Sequence, residues 1–343
     1  MRIGRRRIGP RFPPYIIAEI GVNHDGDPDR AVELTEAAAK AGADAVKLQL
    51  FETDRLMSKA SRLAAYQKVA GEADPFSMLR RLELSIDQMA PIVERAHATG
   101  VHAIVTVFSV ELVEVAERLP WDAYKSASPD IINRPLLEAM AGTGKPLIVS
   151  TGASTLDEVT MVAAWLDDIR DRLAMLQCVS SYPAPDAALG GIRTIVEATR
   201  LITGYSDHTE SIKTGAEAVA AGALILERHI THDRSAVGPD HAASLEPKEF
   251  ARYVRLARAS SLGAAFVEPG KAVLECEHDV RAVSRQSLVA ARDLAVGAVI
   301  HAGDLTIKRP GGGLEPWRMD STIGRRLTRP VEADMPLSEE DLS

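Results

Sequence analysis

Two lysines, two histidines and two glutamates of this 343-residue chain interrupt or end apolar runs, where side chains that only pack would carry no charge. The run LILERHIT (224–231) passes from Leu and Ile into Glu227, Arg228 and His229 with no turn residue between. Lys47 interrupts AVKLQLF (45–51) and Lys125 interrupts AYKSAS (123–128). Glu19 stands near the end of YIIAEIG (15–21), and His208 follows LITGYSD (201–207). Lysines gathered with the hydroxyls of Thr106, Ser128 and Ser206 suit an anionic ligand, most simply a phosphate and a carboxylate. His208 and His229 suit a divalent metal, because neutral imidazole is the commonest metal ligand. Asp207, Glu227 or Asp240 could add oxygen donors, which makes Mn or Mg as fitting as Zn. The chemistry expected is a metal that activates one substrate while lysines hold a phosphorylated one.

These residues need a scaffold that brings strand ends together. Eight β-branched or apolar runs qualify as strands: the five quoted above with HAIVTVF (102–108), LIVSTG (147–152) and AMLQCVS (174–180). Helical patterns fall between them, for example Asp29 to Ala41 and Thr155 to Asp168, and this alternation predicts a (β/α)8 barrel. Gly42, Gly100 and Gly222 precede strands, where a glycine ends a helix. The segment 52–84 exceeds an ordinary strand–helix loop and reads as a lid. The barrel is assigned to 1–262 and a linker to 263–282. A small β-rich domain, with a weak internal duplication, is assigned to 283–343.

Side chains alternate along a strand, so Glu227, His229 and Thr231 share one face and Arg228 takes the other. Lys47 and Gln49 share a face in the same way. With Leu226 and Arg228 toward the helices, Glu227 and His229 look into the barrel at its C-terminal mouth, where this fold builds active sites. Several strands presenting polar groups at one end is the signal. Singly, each residue has a plainer reading: a strand-end lysine is often a solvated rim residue. His97, His232 and His301 read as surface or structural, Cys178 as a small core residue, and Gly311–Gly313 as a turn.

Composition narrows the class. The formal net charge is −8, which argues against nucleic acid or an acidic membrane as partner. No apolar run is long enough to span a bilayer, and Arg5-Arg6-Arg7 is not followed by a signal-peptide core. Cys178 and Cys276 lack metal-site or disulfide spacing. A cytoplasmic enzyme or binding protein is expected.

The segments IAEIGVNHDGD (17–27), Lys47-Leu48-Gln49, TGYSDHT (203–209), ERHIT (227–231), GPDHAASLEP (238–247) and IKRPGGG (307–313) resemble the N-acetylneuraminate (sialic acid) synthase family, colinearly from about residue 15 to the end. The C-terminal part resembles that family's antifreeze-like (SAF) domain. The resemblance implies condensation of phosphoenolpyruvate with an N-acetylated mannose-type sugar, giving a nine-carbon α-keto acid and phosphate. It also implies a divalent metal, most often Mn (Mg being the alternative), on His208 and His229. Lys47, Thr106, Lys125, Ser128, Ser180 and Ser206 would contact phosphoenolpyruvate. Gln49, Tyr182 and Asp240 would line the sugar side, with Glu19, Glu227 and Lys125 in the catalytic group. Arg309 would enter the barrel of a partner in a domain-swapped homodimer.

Family members commonly have Lys where this chain has Arg228, on the face away from the site, so the change should be harmless. Many have Asn where Ser180 stands, and Arg285-Gln286 matches only part of a usual pair. N-acetylmannosamine is the first sugar expected. The alternative is 2,4-diacetamido-2,4,6-trideoxymannose, the substrate of a legionaminate synthase. A sugar isomerase using both histidines, or a non-catalytic carbohydrate-binding protein, are the readings from other classes.

Overall fold

Eight apolar runs become the staves of a closed parallel barrel in the computed structural model, which describes residues 1–343. A short hairpin, β1 (Arg2–Ile3) and β2 (Arg6–Arg7), precedes it. The staves are β3 (Tyr15–Gly21), β4 (Ala45–Leu50), β5 (His102–Val107), β6 (Ala123–Ser126), β7 (Leu147–Ser150), β8 (Leu173–Cys178), β9 (Ile202–Asp207) and β10 (Ile225–His229). Each pairs with the next, and β10 closes on β3, with Glu227 opposite Ile17 and His229 opposite Glu19.

Helices form where the sequence supplies caps and an apolar stripe. The first, Pro28–Ala41, starts at Asp27, whose carboxylate accepts from the Asp29 and Arg30 amides, and stops at Gly42 with φ 91°. Gly100 and Gly222 take the same left-handed conformation. The helix expected over Thr155 to Asp168 is shorter, Leu156–Trp165, because Leu166 leaves helical geometry and a 3-10 stretch follows. Its start is a capping box between Thr155 and Glu158.

Two cores result. Outward residues such as Ile16, Val46, Leu48 and Val105 pack beneath the helices. Inward residues low in the barrel, Ile17, Ala45, Ile104, Ala123, Ile148, Ala174 and Ile225, pack together and receive Ile3 and Ile8 from the N-terminal hairpin. Each of those two isoleucines contributes about 1.5–3 kcal/mol of burial, so the basic tip is a plug for the barrel floor.

The segment 52–84 holds three short helices and covers the mouth, packing Leu56, Leu63, Met78, Leu79 and Leu82 on Val22, Phe51 and Phe108. The C-terminal domain pairs β11 (Ser287–Ala290) with β12 (Leu305–Lys308) around Leu288, Ile300, Leu327 and Leu337. Its duplication is structural. Asp304 caps a 3-10 turn through the His301 amide and pairs with Arg292; at the same spacing, Asp341 caps through Ser338 and pairs with Arg329.

Residues expected to be linker are anchored to the barrel. Lys271 donates to the Thr151 carbonyl at 2.7 Å, and Arg281 and Arg285, on or just beyond the helix His278–Ser284, both hold Glu158.

Candidate active site

Strand parity builds the site from the floor up. Six staves that supply an apolar inward residue below supply a polar one above: Ile17 then Glu19, Ala45 then Lys47, Ile104 then Thr106, Ala123 then Lys125, Ile148 then Ser150, Ile225 then Glu227. The upper set lines a cleft at the C-terminal mouth, where this fold builds its active sites.

Its centre is a buried charge cluster. Lys47 Nζ lies 2.7 Å from Glu19 Oε2 and donates to Thr106 Oγ1 at 2.9 Å. Glu227 Oε2 stands 3.9 Å from Lys47 and 3.8 Å from Lys125, while its other oxygen accepts from Ser206 at 2.9 Å. Gln49 donates to Glu19 at 2.7 Å. Burial pushes the Glu19 carboxyl up against the pull of Lys47. Burial also acts on Glu227, but Lys125 and Lys47 reverse it and hold that carboxyl low. Burial lowers Lys125, whereas Glu19 and Glu227 outweigh burial at Lys47 and raise it. The two carboxyls of this cleft are thus shifted in opposite directions.

Beside Lys125 lies a small polar cradle. Lys125 donates to Ser150 Oγ and to the Ser126 carbonyl. Gly152 leaves a gap into which a Cβ would strike Ser180 Oγ at 2.2 Å and Cys178 Sγ and Ser128 Oγ at 2.8 Å. Ser128 accepts the Gly152 amide at 3.0 Å. Hydroxyls, an ammonium and close backbone suit an anionic oxygen group.

The histidines stand on adjacent strand ends with ring centroids 5.6 Å apart. His208 Nδ1 is tied to the Val179 carbonyl at 2.8 Å, which fixes the ring. His229 Nδ1 is buried without a hydrogen-bond partner, 3.8 Å from Asp240 Oδ2. Burial, then His208 and Lys47, keep His229 neutral, the form that binds metal. No three His, Cys, Asp or Glu side chains form a ready cage. The donor set fits a catalytic divalent ion, where His208 and His229 would be protein ligands and Asp240 an adjacent oxygen, with positions open to water and substrate.

The rim is aromatic and cationic. Tyr182 stacks on His208 at 4.2 Å, and Tyr66 packs on Tyr182 at 5.0 Å. Arg309 enters above Phe108, its amide donating to the Leu56 carbonyl at 2.8 Å and its carbonyl accepting from Ser58. It reaches the mouth of its own barrel, over which the anchored segment 271–286 leads the C-terminal domain. Asp130, fully buried with neither carboxylate oxygen bonded, faces Arg309, Arg285 and Lys125.

Apart from Asp207, all the residues singled out in the sequence as catalytic, substrate-binding or metal-binding line this cleft. Two readings change. Asp207 is no metal ligand: it faces the helices and pairs with Arg228 at 2.9 Å. Cys178 is not merely core, since its sulfur lies 3.7 Å from His208 and 3.5 Å from Ser128. Ser150 was within reach of the alternation argument and was missed. Tyr66, Asp130 and Glu277 gave no local signal; Glu277 is buried and accepts the Ala153 and Ser180 amides at 2.6 and 2.7 Å from far along the chain.

Comparison with known proteins agrees with this geometry. Residues 34–265 match the NeuB family, and 285–343 match the SAF domain. The N,N'-diacetyllegionaminic acid synthase of Legionella pneumophila is 37% identical, over 95% of this chain and 93% of its own. Human N-acetylneuraminate-9-phosphate synthase is 32% identical, over 98% and 95%. The spore coat polysaccharide biosynthesis protein spsE of Bacillus subtilis superposes with a TM-score of 0.84 at 27% identity, covering 100% of this chain and 99% of that one. No helix is long and apolar enough to cross a membrane. With a barrel matched over most of its length and a matched domain over its mouth, this chain belongs to the NeuB family of nonulosonate synthases and carries a C-terminal SAF domain.

Proposed function

We propose that this chain condenses phosphoenolpyruvate with the open-chain form of an N-acetylated mannose-type sugar. C3 of phosphoenolpyruvate bonds to the aldehyde carbon, water adds at C2, and the C2–O bond to phosphate breaks. The observation that carries the reading is the pair of buried lysines, Lys47 and Lys125, both within 4 Å of Glu227 beside the Gly152 cradle. A sugar isomerase would have no use for two such cations at the floor of its mouth.

The residues divide the work. Lys47 and Lys125, with Thr106, Ser128, Ser180 and Ser206, hold the carboxylate and phosphate. Glu19, set toward its protonated form, gives a proton to the developing alkoxide. Glu227, set toward its ionised form, takes one from the attacking water. Gln49, Tyr182, Asp240 and Arg309 orient the sugar. A divalent ion, Mn or Mg, held by His208 and His229 would supply Lewis-acid polarisation of the aldehyde oxygen.

N-acetylmannosamine, giving N-acetylneuraminate, is one substrate reading. A specific observation favours 2,4-diacetamido-2,4,6-trideoxymannose. One side of the cleft is apolar, formed by Val22, Phe51, Leu56, Met78, Leu79, Leu82 and Phe108. Such a wall suits a C6 methyl and a second acetamido group better than hydroxyls left without partners. The similarity to the Legionella synthase points the same way. The test is phosphate release from phosphoenolpyruvate by metal-stripped protein with Mn added back, each sugar offered separately. Faster release with the trideoxy sugar supports a legionaminate synthase, and faster release with N-acetylmannosamine a sialate synthase. Silence with both, metal present, rejects the condensation.

A further inference from the structure

Behind the two histidines, on the side of the barrel wall away from the cleft, lies a buried ion pair that the condensation does not use. Arg228 and Asp207 are fully buried, with Arg228 Nη1 2.9 Å from Asp207 Oδ1. They pair across neighbouring strands, and the next residue on each strand is a histidine of the site: Asp207 then His208, Arg228 then His229. Asp207 also accepts the Thr209 amide at 3.0 Å and hydroxyl at 2.8 Å, fixing the turn after His208. Arg228 reaches the Ala243 carbonyl at 3.5 Å, in the turn that follows Asp240. One guanidinium therefore touches three segments that carry the histidines and their nearest carboxylate. Tyr253, whose ring fills the space a Cβ on Gly215 would need, closes the pair off from the helix side.

Stability alone is a poor account of it. Desolvating two charges offsets most of their attraction, and an apolar replacement of similar size is often neutral or stabilising. Yet Asp207 Oδ2 and Arg228 Nε are left without partners here, so the arrangement is not tuned for maximum bonding. We propose that Asp207 and Arg228 are positioning residues that set the spacing of His208 and His229, so that affinity for the divalent ion depends on a pair that never touches it. This rests on the metal reading above.

The test is Mn binding by isothermal titration to the full-length, metal-stripped protein without substrates. The double variant Asp207→Asn/Arg228→Met removes both charges and leaves none unpaired, so it should fold. It is expected to bind Mn about 10–100-fold more weakly, the loss typical of residues that orient metal ligands. Val162→Ala, in the distant helix 156–165, should lower the melting temperature and leave Mn affinity unchanged. Arg228→Lys keeps the charge opposite Asp207 and should bind within about threefold of wild type, in line with a tenfold change corresponding to 1.4 kcal/mol. Wild-type affinity in the folded double variant overturns the proposal. A loss above tenfold in Arg228→Lys overturns it too, and that arm stands even where the double variant does not fold. Absence of Mn binding by the wild-type protein, with His229→Ala no different, would instead reject the metal reading.

Discussion

Glu19 and Glu227 share Lys47, whose Nζ lies 2.7 Å from the first carboxylate and 3.9 Å from the second, yet their surroundings drive them apart. Burial raises Glu19 despite that contact, while a second lysine, Lys125, tips Glu227 the other way. In the proposed reaction this difference would let one residue type supply both a proton donor and a proton acceptor within one cleft.

The first consequence concerns Glu19→Gln. The amide keeps the contact with Gln49 and the shape of the side chain but cannot give up a proton to an alkoxide. Turnover should fall by about 10²–10⁴, the usual worth of a positioned acid or base, with the KM for phosphoenolpyruvate little changed. Steady-state phosphate release checks both numbers. Turnover within threefold of wild type would remove Glu19 from the acid role.

Lys125 should behave differently. Replacing it by Met removes a cation aimed at the bound anion and leaves Glu227 facing Lys47 alone. The KM for phosphoenolpyruvate should rise tenfold or more, about 1.4 kcal/mol per decade, whichever sugar is used. An unchanged KM would place the anion elsewhere in the cleft.

How much of this could be read from the sequence follows from what alternation can and cannot carry. A strand's two faces are set by parity, so Lys47, Thr106, Lys125, Glu227 and His229 were legible as inward residues once their runs were recognised as staves. Parity also put Arg228 on the outer face, but it says nothing of what covers that face. The buried pair with Asp207 therefore appears only when the helix bearing Tyr253 is in place. Loops obey no such period. Tyr66 reaches the cleft from a covering segment, Asp130 lies buried near Arg309 and Lys125 on a 3-10 turn, and Glu277 arrives from a segment that read as linker. The place of Arg309 at the mouth likewise depends on Lys271, Arg281 and Arg285 holding the connecting segment to the barrel, contacts with no sequence signature.

Asp130 gives a prediction about pH and stability. Burial pushes its carboxyl up from the usual aspartate range to about 7, with Arg309, Arg285 and Lys125 pulling the other way. The folded state then binds a proton that the unfolded chain releases, so this group's contribution falls as pH rises from about 4 to 7 and is least favourable above 7. Asp130→Asn abolishes that dependence. Urea unfolding across pH 5 to 8 should show the variant gaining on wild type as pH rises, by about 3 kcal/mol at most. A constant difference across that range would mean Asp130 is ionised throughout in the folded protein.

Gly152→Ala tests the cradle by filling it. The added methyl would lie 2.2 Å from Ser180 Oγ and 2.8 Å from both Ser128 Oγ and Cys178 Sγ, so at least two of these side chains must move. Ser180 has little freedom, since its amide is held by Glu277, and Ser128 begins a buried 3-10 turn. Moving Ser180 or Ser128 displaces hydroxyls proposed to contact the anion, and overpacking a rigid site costs about 1–3 kcal/mol. Affinity for phosphoenolpyruvate, measured by calorimetry without sugar, should drop about tenfold or more, while sugar binding at the Tyr182 rim should change little. If phosphoenolpyruvate binds the variant as tightly as wild type, the anion sits against Lys47 and Lys125 alone, and the serines serve only to pack the mouth.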